Sequence, residues 1–73
     1  MKIYYDKETD SAYIELSTAK PDGVVEISEG VNLDTTKEGK LIGIELLNAS
    51  DKISLQSLFN FQLDDRLIAL QKA

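Results

Sequence analysis

The chain has no cysteine and no histidine. Those two absences remove thiol nucleophiles, disulfide frameworks, zinc sites of the usual ligand types and imidazole acid/base chemistry together. It also lacks any apolar run of about 18 residues, the minimum for a membrane-spanning helix. Residues 1–5 carry one lysine followed by strand-like side chains, with no apolar stretch of signal-peptide length. Cytoplasmic residence and no membrane partner are the expectation. Glycine is sparse, and Gly23, Gly30, Gly39 and Gly43 are dispersed, so no phosphate-cradling loop exists. The one proline, Pro21, opens the turn signature Pro21-Asp22-Gly23, where the chain is expected to reverse or cross over.

What is present is acid. Thirteen acidic against eight basic side chains leave a net charge of −5, a field that repels phosphate backbones and suits a basic partner protein. Lys37, Lys40 and Lys52 are too scattered to predict a DNA-binding patch, so no nucleic acid is expected. At 73 residues the chain reads as one domain, close to the lower limit for folding without disulfides or metal. A homodimer that covers more apolar surface is expected.

Period-two patterning over residues 1–47 predicts an antiparallel β-meander of four to five strands. Lys2 to Tyr5 and Ser11 to Leu16 flank the polar stretch 6–10 and pair best with Tyr5 opposite Ala12, Tyr4 opposite Tyr13, Ile3 opposite Ile14 and Lys2 opposite Glu15. Met1, Ile3, Tyr5, Ala12, Ile14 and Leu16 then share one face, with Lys2, Tyr4, Tyr13 and Glu15 on the other. A loop at Ser28-Glu29-Gly30 pairs Ile27 with Val31, Glu26 with Asn32 and Val25 with Leu33; the alternative is one long strand bent at a glycine bulge. A turn over residues 36–39 sets Thr35 opposite Lys40, Leu33 opposite Ile42, Asn32 opposite Gly43 and Val31 opposite Ile44. Val25, Ile27, Val31, Leu33, Ile42, Ile44 and Leu46 form the expected core face. Gly43, inside a strand, predicts another backbone or an aromatic ring passing over it.

After Leu47 the period lengthens to that of a helix. Leu55, Leu58, Phe59, Leu63, Leu67 and Leu70 fall on one stripe, predicting a C-terminal helical segment over 53–72 packed on the sheet, entered at Ser54 and either continuous or broken near Asn60 to Leu63. The fold class is therefore α+β. Asn48-Ala49-Ser50 matches a glycosylation sequon but reads as a turn or helix entry in a chain without a signal peptide.

Asp6, Glu8 and Asp10 resemble the start of a calcium loop, yet the sixth and twelfth positions are Ser11 and Ser17, so the motif fails and turn capping explains these carboxylates. In the expected register Asp34 and Glu45 do not converge, and no residue is assigned to catalysis, cofactor or metal; the chain is not expected to be an enzyme. Tyr4 and Tyr13 form an aromatic patch beside Lys2 and Glu15, and Phe61 and Ile68 lie off the main helical stripe. These four are the candidate partner-binding residues. Whether the chain's own helix covers the tyrosines or the aliphatic face is open on the sequence alone. The leading function is an acidic interaction module that binds a basic protein. The alternative is a small-molecule or cation-binding domain, or a weak enzyme, using Asp6, Asp10 or Asp34.

Met1-Lys2-Ile3, Tyr5-Asp6, Glu8, Asp10, Tyr13-Ile14, Ser28-Glu29-Gly30-Val31, Asp34, Gly39, Leu41-Ile42-Gly43-Ile44-Glu45 and Asn48-Ala49-Ser50 make an ordered set. On that set, residues 1–50 resemble the prokaryotic family called domain of unknown function 2283. The resemblance implies a small prokaryotic protein with a β-sheet and a variable C-terminal segment, and it supplies no accepted activity or catalytic residue. Such proteins resemble antitoxins in size and can lie beside genes for small toxin-like proteins, which implies an antitoxin role. Asn32 departs from the aliphatic residue such relatives would hold there.

Overall fold

The structure, a computed structural model, describes residues 1–60. Five strands, β1 (Lys2–Asp6), β2 (Ser11–Glu15), β3 (Gly23–Ser28), β4 (Val31–Thr35) and β5 (Leu41–Leu47), form one antiparallel sheet in the order β1-β2-β5-β4-β3. A short helix α1 (Ala49–Lys52) and a 3-10 turn (Leu55–Leu58) follow. The five strands and their antiparallel sense match the expected architecture. The strand order refines it, because the chain crosses over between β2 and β3 instead of stepping to a neighbour.

Segment 16–22 makes that crossing along one end of the sheet. It spans three inter-strand spacings of about 4.8 Å each, well within the reach of seven residues at about 3.3 Å apiece. Its two ends are pinned: the amides of Leu16 and Ser17 both donate to the Ile42 carbonyl, at 2.8 and 3.0 Å, and the Asp22 amide donates to the Thr35 carbonyl at 2.9 Å. β5, the longest strand, therefore lies in the middle, where its apolar residues gain most from burial.

The β1–β2 register is the expected one throughout, from Lys2 opposite Glu15 to Tyr5 opposite Ala12. Two hairpins differ from expectation. Between β3 and β4 the pairs Val25–Leu33 and Glu26–Asn32 hold, but Ser28, not Ile27, faces Val31. Ile27 is bulged out of the ladder, which leaves Glu29 and Gly30 as a tight turn with Gly30 at φ 75°.

Between β4 and β5 the pairing is Thr35–Leu41, Asp34–Gly43, Asn32–Glu45, Leu33–Ile44 and Val31–Leu46. The loop 36–40 is one residue longer than expected, and a bulge between Asp34 and Thr35 absorbs one more. The Thr36 amide donates to the Lys40 carbonyl at 2.8 Å, and the Lys40 amide donates to Thr36 Oγ1 at 3.0 Å, which holds the longer loop. Together the two additions slide β5 by two positions. A slip of two leaves every side chain on its original face, so the face assignment survives although the partners change.

One row of side chains therefore crosses the whole sheet as Ile3, Ile14, Ile44, Leu33 and Val25. The core, however, is narrower than the expected face. Among the described residues the buried apolar side chains are Ala12, Ile42, Leu46 and Ala49, with Val31, Ile44, Ile53, Leu55 and Leu58 packed against the cluster of Ala12, Leu46 and Ala49. Val25 and Ile27 are 53% and 60% exposed, a correction that follows from β3 being an edge strand while α1 and the 3-10 turn sit over β2 and β5.

The expected helix over 53–72 is corrected where it can be compared. Helical structure begins at Ala49, and Ile53 is extended at φ −140°, ψ 159°. Only a 3-10 turn follows Ser54, whose carbonyl, not its hydroxyl, is engaged, accepting from the Ser57 amide and Oγ. Asn48 takes the left-handed conformation at φ 52° that turns the chain from β5 into α1, the helix-entry role expected for it. Residues 61–72 of the expected helix, with Phe61 and Ile68, lie outside the described residues.

Candidate functional site

α1 and the 3-10 turn pack on the aliphatic face through Ala12, Leu46, Val31 and Ile44. That answers the question of which face these elements take: it is the one opposite Tyr4 and Tyr13. Alternation then builds the opposite face from two rows. One runs Tyr4, Tyr13, Glu45, Asn32 and Glu26; the other runs Lys2, Glu15, Gly43, Asp34 and Val24. Glu15, Asp34, Glu45 and Glu26 outweigh Lys2 there, so the face is acidic, with its aromatic pair toward the β1 edge.

The Tyr4 and Tyr13 rings lie 6.5 Å apart between centroids and are tilted 43°, the aromatic patch expected from the first hairpin. Tyr13 reaches sideways across β5 to β4, donating its hydroxyl to Asp34 Oδ2 at 2.8 Å. Gly43 makes this path possible, since a Cβ there would stand 2.1 Å from the Tyr13 hydroxyl oxygen. Of the two expectations for Gly43, another backbone or an aromatic ring, the structure has the ring of Tyr13. One row along, Asn32 Nδ2 donates to Glu45 Oε1 at 3.1 Å, so this asparagine is used by its neighbour instead of being packed.

The hydrogen bond to Asp34 pushes the Tyr13 hydroxyl up to about 12, assisted by burial and by the Asp34 charge, with Glu15 and Glu45 adding smaller effects. A phenol that hard to ionise is a donor and not a base at neutral pH. What changes is the expected β4–β5 register: Asp34 faces Gly43 and Glu45 faces Asn32, so that Tyr13 links to Asp34 and pairs with Glu45 across the β2–β5 ladder. Glu45, Asp34 and Asn32 were missed as members of the tyrosine face. The isolated glycine at 43 was the signal that could have found them.

The loop carboxylates do different work. Asp6 Oδ1 accepts the Glu8 amide at 2.9 Å, capping the first turn. Asp10, at φ 52°, gathers the Tyr5 hydroxyl at 2.7 Å, the Ser50 hydroxyl at 2.6 Å and the Ser50 amide at 3.2 Å, while its own carbonyl accepts the Ala49 amide at 2.8 Å. The bonds from Ser50, then that from Tyr5, hold the Asp10 carboxyl below its ordinary range, and the same contact raises Tyr5. Asp10 is a clasp between the first turn and α1, with its oxygens already engaged. A surface concavity of about 350 Å³ lies at the other end, lined by Met1, Glu15, Leu16, Ser17 and Thr18. Asp6, Asp10 and Asp34 are not among its walls. No helix among the described residues is long and apolar enough to cross a membrane.

No curated protein and no solved structure matches the chain. The family described as protein of unknown function, DUF2283, does: its model matches residues 2–50, which takes in all five strands, Asp10, Tyr13, Gly43 and Ser50, and the chain belongs to that family.

Proposed function

We propose that the protein is an interaction module without catalytic activity, and that it binds a basic partner protein on the acidic face that carries Tyr4 and Tyr13. The observation that carries this reading is the composition of that face: two neighbouring aromatic rings at its β1 side, with Glu15, Glu45, Asp34 and Glu26 spread across the strands beside them. Aromatic side chains supply the contact area, and the surrounding charge steers a cationic surface and selects against acidic ones. Masking of a small toxin-like protein by such a face is the specific form we favour, in keeping with what the family resemblance implies.

The test is affinity purification of the tagged full chain from its native host, followed by reconstitution with the captured protein and with the product of the adjoining gene. The expected partner is basic, is released by raised salt, and is lost with Tyr13→Ala and with Glu45→Lys. An acidic partner, or a basic one whose binding ignores both substitutions, would overturn the reading.

A further inference from the structure

The two edges of the sheet are unlike. β1 begins with Lys2 and ends with Asp6, charges of the kind that discourage strand addition. β3 runs Gly23-Val24-Val25-Glu26-Ile27-Ser28, with no lysine or proline, and exposes Val24, Val25 and Ile27 by 67%, 53% and 60%. It also terminates the apolar row Ile3, Ile14, Ile44, Leu33, Val25 in solvent.

The direction of the free backbone groups on β3 follows from its neighbours. Leu47 donates to the Gly30 carbonyl and Thr36 donates to the Lys40 carbonyl, each at 2.8 Å, so residues 30 and 36 of the β4 segment address β5. The Thr35 carbonyl instead accepts from Asp22, toward β3. Alternation along an antiparallel ladder then directs Leu33 and Thr35 at β3, and their partners Val25 and Gly23 back at β4. The amides and carbonyls of Val24 and Glu26 are left facing outward.

A strand added to this edge must pair through those two residues. Self-pairing about a twofold axis can do so in three registers. Glu26 opposite Glu26 of a second copy juxtaposes like charges, and Val24 opposite Val24 brings Asp22 against Glu26. The third puts Val24 opposite Glu26 in both directions and Val25 opposite Val25 on the axis. It engages all four outward groups of each strand, separates the charges, and joins the two apolar rows end to end. We infer that β3 is the seam between two copies of this chain, paired antiparallel about Val25 into one ten-stranded sheet. An isologous contact of this kind closes on itself and leaves no further β3 edge exposed. A single strand pair is smaller than the standard interface of about 1,600 Å², so the dimer dissociates in roughly the micromolar range.

The chain has no native thiol, so Val25→Cys places one reporter on the axis. Directly opposed Cα atoms in a non-hydrogen-bonded pair lie about 4.5 Å apart, within disulfide reach. Val24→Cys is the control, since its two copies stand diagonally at about 7 Å or more. Under mild oxidation the full-length Val25→Cys chain should cross-link roughly tenfold faster than Val24→Cys. Val24→Pro removes an outward amide while sparing the β4 ladder and should weaken dimerisation by roughly tenfold in sedimentation equilibrium. Equal or absent cross-linking, or a wild-type chain that sediments as a monomer up to about 1 mM, overturns the inference, as does β3 pairing only with a foreign chain. The inference stands apart from the acidic-face reading: a monomer that still binds its basic partner removes only the dimer.

Discussion

The β2–β5 pair and the β3 edge are made of the same kinds of aliphatic residue, yet they fare differently. Ala12 and Leu46 disappear beneath Ala49, which is 0% exposed, while Val25, in the same sheet and on the same face, is 53% exposed. The difference is supplied by the chain after β5. Asp10 and Ser50 clamp α1 over one end of β2 and β5, and Lys52 reaches back across Gly30 to donate to the Leu47 carbonyl. Nothing described lies over Val25. Burial in a sheet this small belongs to the strands that a later element covers, and an edge strand with the same pattern is left as contact surface.

The sharpest contrast is in stability. Leu46→Ala should cost about 2–5 kcal/mol, because it opens a cavity beside Ala12 and Ala49. Val25→Ala, measured on the monomer in the same urea titration, should cost less than about 1 kcal/mol. Equal costs would mean that the aliphatic face is uniformly covered.

A second prediction concerns the clasp. Asp10 titrates below its ordinary value of 3.8, so the folded state holds the charged form and gains stability above that value. The gain is lost as pH falls through the lowered pKa. Asp10→Asn should reduce the denaturation midpoint at neutral pH and flatten the acid side of the stability profile, readable by circular dichroism. An unchanged acid limb would remove Asp10 from the account.

The polar face offers the opposite sign. Tyr13 has its pKa raised from 10.0 to about 12, so the folded state keeps the proton longer. The contribution is complete below pH 10 and is lost as pH rises through about 12. Ultraviolet titration of tyrosinate should show, beside the raised Tyr5, a late-ionising group that is absent in Tyr13→Phe and moves toward the ordinary value in Asp34→Asn. A comparably small effect on stability belongs to Gly43→Ala, which should push the Tyr13 ring off its path and break its bond to Asp34, at about 1 kcal/mol or less. The same late titration should then fall even though the fold is kept.

Face assignment was legible in the sequence because alternation alone determines it. The first hairpin was legible to the residue, since Lys2–Glu15, Tyr4–Tyr13 and Ile3–Ile14 are each favourable pairs and a single slip spoils all three. The β4–β5 register was not legible. One extra loop residue and one bulge add to a slip of two, which the hydrophobic pattern cannot detect, and that slip hid the link between Tyr13 and Asp34. The Asp10–Ser50 clasp was equally hidden, because the two residues stand forty positions apart and meet only once β5 has been set beside β2.

The register of β5 against β4 is what brings Asp34, Gly43 and Tyr13 together, and solution NMR reads it directly. Since Asn32 and Asp34 direct their backbone groups at β5, Leu33–Ile44 and Val31–Leu46 are the non-hydrogen-bonded pairs, whose α-protons lie close enough for strong cross-strand Overhauser effects. Those two cross-peaks are the predicted result. Cross-peaks from Leu33 to Ile42 and from Val31 to Ile44 would contradict the account, and the tyrosine face would have to be rebuilt.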